Sequence, residues 1–257
     1  MPGAGSRDWD AATYHRVSAP QQRWAEGVVA RLPLRGDETV LDAGCGTGKV
    51  TAMLLERLPR GRVIAVDGSA AMVAEARAHL DPARADVRHC DLVDLRLEEP
   101  VDAVFSNAVF HWIHDHPRLF ATLAAALEPG GPLEAQCGGA GNVSRFYAAL
   151  DDVLATGRFP ELEGFDPAYF ATPEETADRL AAAGFDSIEC ALERRPAVLP
   201  EPREFVRSVC LGAHLELLPA DRRFALVDAV VDRLGPEPEL DYVRLNISAR
   251  RGAAPTP

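Results

Sequence analysis

The stretch Thr39–Val40–Leu41–Asp42–Ala43–Gly44–Cys45–Gly46–Thr47–Gly48 constrains the chain more than any other. Val40, Leu41 and Ala43 make a short apolar run of the kind buried on both faces of a sheet. Gly44, Gly46 and Gly48 then supply a turn in which backbone lies against a ligand with no Cβ in the way. From Lys49 to Leu58 the apolar residues Val50, Met53, Leu54 and Leu58 fall on one helical face. Strand, glycine turn and helix in that order are the layout of a nucleotide-type site at the carboxyl end of a parallel strand.

The glycine spacing sorts the possible ligands. A phosphate-binding P-loop needs GxxxxGK[ST], and Gly44 to Thr51 lacks it. A dinucleotide turn needs GxGxxG, and here the third glycine position is Lys49. A small zwitterionic tail beside a ribose suits Gly44–x–Gly46–x–Gly48 better. Arg62–Asp67 reads as a second strand ending in an acid 23 positions after Gly44. A carboxylate there can accept from both hydroxyls of a ribose. The alternative is a cap: Asp67 or Ser69 would start the helix Ala70 to Leu80. A third strand, Ala85 to Cys90, ends at Asp91–Leu92. That acid can accept from the exocyclic amine of a base, with Leu92 against the ring, or it can be a simple turn acid.

The remaining elements follow from periodicity. Pro100 to Asn107 is a fourth strand, Leu119 to Leu127 a helix, and Leu133 to Cys137 a fifth strand with Pro132 at its start. Gly138 to Gly141 is a glycine-rich run beyond it, either a ligand contact or a linker. Thr172–Pro173–Glu174–Glu175 has the signature of a capped helix start, and that helix ends at Gly184. Asp186 to Arg194 is a sixth strand. Glu201 to Leu234 is helical, with a break at Leu218–Pro219–Ala220–Asp221. Tyr242 to Ala249 is a seventh strand, with Val243, Leu245 and Ile247 alternating. Alternating strands and helices predict an α/β fold with a mostly parallel sheet and helices on both faces. The expected organisation is one domain over residues 1–251. A leading helix at 9–32 and helical insertions at 142–172 and 201–235 form a substrate cap. Trp9, Tyr14 and Trp24 either pack that leading helix on the core or line a lid.

The formal net charge is −12, which argues against a nucleic-acid surface. No apolar run approaches the ~20 residues that span a bilayer, and Met1 to Asp10 lacks a signal-peptide core, so a cytoplasmic protein is expected. The five cysteines include no CxxC pair, so neither zinc nor a disulfide framework is expected. His111–x–x–His114–Asp115–His116 has the spacing of no familiar metal set. Asp115 as the cap of a helix with Pro117 in its first turn accounts for it better.

Leu41–Asp42–Ala43–Gly44–Cys45–Gly46–Thr47–Gly48, Asp67, the Cys90–Asp91–Leu92 turn and Leu127–Glu128–Pro129–Gly130–Gly131 together resemble the class I S-adenosylmethionine-dependent methyltransferases. The resemblance spans roughly residues 35–137. It implies strand order 3-2-1-4-5-7-6, with strand 7 antiparallel, and S-adenosylmethionine as cofactor. By the same resemblance Asp42, Gly44, Cys45, Gly46, Thr47, Gly48, Asp67, Gly68, Met72, Cys90, Asp91, Leu92, Ser106 and Asn107 are cofactor-binding.

Phe105–Ser106–Asn107–Ala108–Val109–Phe110–His111–Trp112, Asp115–His116, Gln136, Asn142 and the helical insertion from Glu201 resemble the trans-aconitate methyltransferase group. That group forms a methyl ester on a small polycarboxylic acid. The chain departs from it at Tyr14–His15–Arg16–Val17–Ser18–Ala19–Pro20–Gln21–Gln22, where the group is richer in arginine. It departs again at Leu211–Gly212–Ala213–His214–Leu215–Glu216, where the group tends to have an arginine. Both departures weigh against a tricarboxylate acceptor. The expected function is methylation of the carboxylate of a small, trans-aconitate-like acid. His111 and Trp112 are the candidate catalytic residues, and Tyr14, Gln22, Asn142 and His214 the candidate substrate contacts. His111 is a hydrogen-bond donor, a base for a weaker acid, or a residue bonded to backbone. Arg16, Arg145 and Arg207 are further candidates for an anionic group. A C-, N- or phenol O-methyltransferase is the alternative, and a non-catalytic cofactor-binding module a lesser one. The expected partner is a small molecule, with no metal, nucleic acid or membrane, and the chain is a monomer or weak dimer.

Overall fold

In the computed structural model, residues 19–198, 201–235 and 238–253 are described, with side chains from Trp24 onward. The predicted leading helix is described over Ala19–Arg31 (α1); its expected start at residue 9, and the candidates Tyr14 and Arg16, lie outside the described residues.

Thr39–Ala43 (β1) leads through the glycine turn into Lys49–Glu56 (α2). Arg62–Asp67 (β2) and Ala70–His79 (α3) follow, then Ala85–His89 (β3), Ala103–Asn107 (β4), His116–Ala126 (α4) and Pro132–Gly138 (β5). Beyond β5 come Ser144–Leu154 (α5), Pro173–Ala182 (α6) and Phe185–Arg194 (β6). Next are the two-residue strand Ala197–Val198 (β7) and the helices Pro202–Phe205 (α7), Gly212–Glu216 (α8) and Ala220–Leu234 (α9). Glu239–Leu240 (β8) and Val243–Arg251 (β9) complete the set.

Seven strands form one sheet in the order β3-β2-β1-β4-β5-β9-β6. β1 to β5 are parallel; β9 enters between β5 and β6 and is antiparallel to both. This is the expected order, with β9 in the place of the seventh strand. The carboxyl ends of β1, β2, β4 and β5 therefore share one edge, where the candidate residues gather.

Alternation explains the layering. Leu41, Ile64, Val104 and Leu133 point to one face, beneath Leu119, Phe120 and Leu123 of α4. Val40, Val63, Ala65 and Phe105 point to the other, against Val28, Val29 and Leu32 of α1 and Leu54 of α2. Because both faces are covered, these strands read as continuous apolar runs. A third apolar cluster lies in the cap, where Phe146 and Leu150 of α5 meet Leu211, Leu215, Leu226 and Val230.

Several predicted caps are present. Asp115 accepts the Arg118 amide at the start of α4. Thr172 and Glu175 form a reciprocal capping box on α6. Some boundaries differ from expectation. α2 stops at Glu56, two residues short of Leu58. β4 begins at Ala103, with Val101 making only an isolated bridge to Leu127. The stretch from Glu201 breaks at Pro219 as expected, and also at Val206–Cys210, a π-helical turn before Leu211–Gly212. The β7–β8 ribbon has no counterpart in the periodicity. Among the described residues no helix is long and apolar enough to cross a membrane.

Candidate active site

The glycine loop is laced to the neighbouring strand. The amides of Gly44 and Cys45 both donate to the Val66 carbonyl, at 2.8 and 3.0 Å. Gly46 N–H donates to Asp67 Oδ2 at 2.9 Å, and Ser69 N–H donates to Asp67 Oδ1 at 2.8 Å. Gly44, Gly46 and Gly48 have φ of +88°, +54° and +83°, in the left-handed region that favours glycine. A Cβ on Gly46 would face open space, whereas one on Gly48 would meet the Leu80 side chain at 2.9 Å. The loop is thus packed at its ends and open at its tip.

Of the roles weighed from sequence, the helix cap falls to Ser69, and Asp67 instead joins the glycine loop to the turn after β2. Each of its oxygens takes one backbone amide, and an ionised carboxylate keeps further lone pairs for a diol. Burial pushes its pKa up, while the bonds from Ser69 and Gly46 oppose that. Ser69 is the helix cap, accepting the amide of Met72, and Gly68 offers its carbonyl to His89 Nε2 at 2.9 Å. Asp42 is enclosed, 1% exposed, and accepts Thr51 Oγ1 at 2.6 Å. Burial raises the Asp42 carboxyl to about 7, against the Thr51 bond. Cys45 and Thr47 are buried beside the loop.

At the end of β3, Asp91 Oδ1 accepts the Val93 amide and caps a single 3₁₀ turn, which is the turn-acid role. Asp91 itself is exposed and Cys90 half-buried, whereas Leu92 and Met72 are buried within the protein. Ser106 Oγ donates to the Ala43 carbonyl at 2.7 Å, tying β4 to β1. Asn107 follows at the end of β4, and its buried Oδ1 has no hydrogen-bond partner among the described residues. By the register of β1 and β4 it stands level with Gly44. A buried orphan acceptor beside an open glycine cradle, with an acid on the next strand, fits a ribose-bearing cofactor.

A cavity of about 70 Å³ lies further along the same edge. Ala108, at φ +63°, redirects the chain after β4 into the 3₁₀ turn Phe110–Trp112. That turn places His111 and Trp112 on the cavity wall, together with Asn142, Phe146, Tyr147 and Phe170. His111 is 7% exposed; its Nδ1 accepts the Gly138 amide at 3.3 Å and its ring stacks on Phe170, centroids 5.8 Å apart. Burial holds its pKa well below the usual imidazole value, helped by the charge of Arg244 and by His116. With Nδ1 accepting, the neutral ring carries its proton on Nε2.

Other candidates fall differently. Asn142 lines the cavity, but its Oδ1 is used as a brace, accepting the Val243 amide at 3.0 Å. His214 is buried in the cap against Phe165, centroids 5.2 Å apart, and is not among the residues lining the cavity. Gln22 is on α1, with its side chain outside the described residues. Arg145 pairs with Glu239 at 3.7 Å and Arg207 with Glu204 at 2.8 Å, and neither lines the cavity. The arginine that does line it is Arg244, 3% exposed, which sequence reasoning passed over. In Val243–Arg244–Leu245–Asn246–Ile247 it occupies a polar position of an alternating strand, which reads as a solvent face.

Residues 40–131 match the methyltransferase domain family. The trans-aconitate 2-methyltransferase of Azoarcus sp. (strain BH72) is 41% identical over 128 residues, 50% of each chain. That of Escherichia coli (strain K12 / DH10B) is 39% identical over 132 residues, again 50% of each chain. The chain thus spans about half the length of the curated relatives it matches. Solved structures share the fold: the Haloferax volcanii putative methyltransferase in complex with its Trm112 activator superposes with a TM-score of 0.61 at 20% identity, covering 99% of this chain and 100% of that one. An S-adenosylmethionine-dependent methyltransferase from Mesorhizobium loti gives 0.54 at 23%, covering 88% and 96%. Glycine spacing, strand order and domain match agree on one resemblance, to the class I S-adenosylmethionine-dependent methyltransferases.

Proposed function

We propose that this chain is an S-adenosylmethionine-dependent methyltransferase whose acceptor is the carboxylate of a small organic acid. The observation that carries the reading is the Gly44–Gly48 loop, held open at its tip by the bond from Gly46 to Asp67. In this reading Asp42, Gly44, Cys45, Gly46, Thr47 and Gly48 border the methionine tail. Asp67, Gly68 and Met72 take the ribose, and Cys90, Asp91 and Leu92 flank the base. Ser106 and Asn107 stand between the cofactor and the acceptor cavity. A cytoplasmic setting, as a monomer or weak dimer, goes with it.

The cofactor, when bound, supplies an activated sulfonium methyl group. The protein supplies position and a dry wall. A carboxylate has an unperturbed pKa near ~4 and needs no base at neutral pH. His111 suits that demand. As a neutral ring protonated on Nε2 it can donate to an acceptor oxygen, but it has no free nitrogen with which to take a proton. Trp112 and Phe170 exclude water around it. Relatives named trans-aconitate 2-methyltransferase support an acid acceptor. The aromatic walls favour a second reading, a phenol or carbon acceptor, for which a base would be required.

Incubation with methyl-labelled S-adenosylmethionine and a panel of acids and phenols tests this. Label in a product that mild base releases as methanol supports the ester. Base-stable label rejects it, and failure to bind S-adenosylhomocysteine in calorimetry rejects the cofactor assignment.

A further inference from the structure

We propose that Trp24 is a positioning residue for acceptor binding: from α1 it holds Tyr242 and Arg244, two residues of the cavity wall, in the arrangement that the acceptor meets. The proposal rests on the methyltransferase reading and gives α1 a part in it.

The sheet beneath α1 departs from the usual pattern. A sheet face covered by a helix is ordinarily apolar. Here the β5–β9 ladder sets Glu134 beside Ser248, Gln136 beside Asn246, and Gly138 beside Arg244 on successive rungs of one face. Glu134, Gln136 and Arg244 are all buried. Hydrogen bonds knit these rungs together. Ser248 Oγ donates to Glu134 Oε1 at 2.5 Å, Gln136 Nε2 to Asn246 Oδ1 at 2.7 Å, and Arg244 Nε to Gln136 Oε1 at 3.3 Å. Buried polar groups bonded to one another specify one arrangement rather than several. The row ends on Arg244, which lines the acceptor cavity.

α1 grips the row at two points. Trp24 and Arg31 are seven residues apart, two helical turns, and so share a face. Arg31 Nε donates to Glu134 Oε2 at 3.0 Å, and its Nη1 to Asn246 Oδ1 at 3.4 Å. Trp24 takes the other end. The Arg244 guanidinium lies over its ring, 5.2 Å from the centroid, and the Tyr242 ring meets it in a T-shaped contact at 5.1 Å. The two spacings agree. Seven helical residues rise about 10 Å. The four strand steps from Glu134 to Gly138 rise about 13 Å, and the long side chain of Arg31 covers the difference.

Tyr242 and Arg244 are two residues apart on the strand side of the cavity, so both stand on the face that Trp24 covers. An indole face attracts a guanidinium, whereas an aliphatic side chain would fill the same space without orienting the cation. An arginine has many rotamers. Seating its plane on a ring and its Nε on Gln136 before the acceptor arrives lowers the ordering cost of binding. The glycine loop is held from elsewhere, by Val66 and Asp67 of β2. Acceptor binding therefore depends on Trp24, and cofactor binding does not.

Two readouts on the full chain test this. In assigned ¹⁵N spectra of the unaltered chain, the Arg244 Nε–H signal should be shifted upfield by the indole and slow to exchange. Trp24→Leu should move it toward the ordinary arginine position, and Trp24→Phe should recover part of the shift. Turnover is followed with labelled S-adenosylmethionine, using whichever of trans-aconitate, hexanoate and 3-phenylpropionate is methylated fastest. Trp24→Leu should raise its KM about 3–30-fold, the range of a lost cation–π contact, with partial recovery in Trp24→Phe. S-adenosylhomocysteine affinity by calorimetry should stay within about 2-fold in both variants. An unmoved Arg244 signal or an unchanged KM in folded Trp24→Leu overturns the proposal, as do equal losses for acceptor and cofactor. If Trp24→Leu fails to fold, the Arg244 signal of the unaltered chain decides, and an unshifted, fast-exchanging one overturns it. Label in none of the acids rejects the acid reading and leaves the spectra to decide on Trp24. Absence of S-adenosylhomocysteine binding by the unaltered chain rejects the underlying methyltransferase reading instead.

Discussion

Val109 fills the space that a side chain at Gly44 would need: a Cβ built on Gly44 falls 2.7 Å from Val109 Cγ1 and nearer still to Cγ2. The exit of β4 thus closes over the exit of β1, and the glycine loop is shaped partly by a residue 65 positions later. Gly44→Ala would combine this overlap with a φ of +88°. The expected cost is about 2–4 kcal/mol, summing overpacking and left-handed strain. Urea melts of Gly44→Ala and of Gly44→Ala/Val109→Ala separate the two contributions. The double variant should relieve most of the overlap but not the strain, and a single variant within about 0.5 kcal/mol of the parent would refute the packing argument.

Asp42 makes a prediction about pH. Its carboxyl is raised to about 7 by burial, above the ordinary value of 3.8 that it regains on unfolding. A raised folded pKa favours the protonated form in the folded state. The stabilisation is complete below about pH 4 and is lost as pH climbs through about 7. Asp42→Asn, which keeps a partner for Thr51, should not show that loss. The stability difference between variant and parent should therefore move in the variant's favour between pH 4 and 8, by a few kcal/mol at most. Parallel stability curves across that range would contradict the account.

His111 gives the opposite sign. Burial, with Arg244 and His116 adding to it, lowers its folded pKa well below 6.5. The neutral ring is favoured by folding, and that contribution is lost as pH falls below the unfolded value of about 6.5. In heteronuclear spectra the His111 ring should not titrate between pH 6 and 8. A midpoint inside that window would restore it as a candidate general base.

A prediction about pocket rigidity concerns Tyr169, whose amide donates to the His111 carbonyl at 2.8 Å. Its hydroxyl accepts from Arg179 Nη2 at 2.8 Å and donates to Glu175 Oε1 at 3.1 Å. This network pins the segment that carries Phe170 against His111. Tyr169→Phe should cost about 1 kcal/mol of stability and raise the acceptor KM about 3–10-fold, with S-adenosylhomocysteine affinity unchanged. Equal losses for acceptor and cofactor would show a general destabilisation instead.

The parallel half of the fold was legible because its signals are local. Strands buried on both faces must be apolar throughout, so β1, β2 and β4 stand out, and Arg62–Asp67 was bounded to the residue. The caps at Asp115 and Thr172 depend on side chains within three residues of each other. The acceptor side depends on distant pairings. β9 alternates like a half-exposed strand, and only the family resemblance put it between β5 and β6. Arg244 looks solvated until Gln136 and Trp24 are seen around it. Arg145 and Arg207, equally basic in the sequence, have acids within a few ångströms that the sequence could not assign to them. His214 went to the cap because Phe165 receives its ring there. The break before Gly212 has no proline to announce it, unlike the one at Pro219.

The insertion of β9 between β5 and β6 also fixes where the chain is most exposed to error while it folds. Until β9 docks, the margin of β5 that it covers is a row of unpaired amides and carbonyls, and β6 has no partner in the sheet. Pairing β5 with β9 joins residues more than a hundred apart in sequence, so that margin is covered only after a long loop search. Self-association should therefore begin at this interior slot of a half-built sheet, rather than at the outer strands that remain open in the finished molecule.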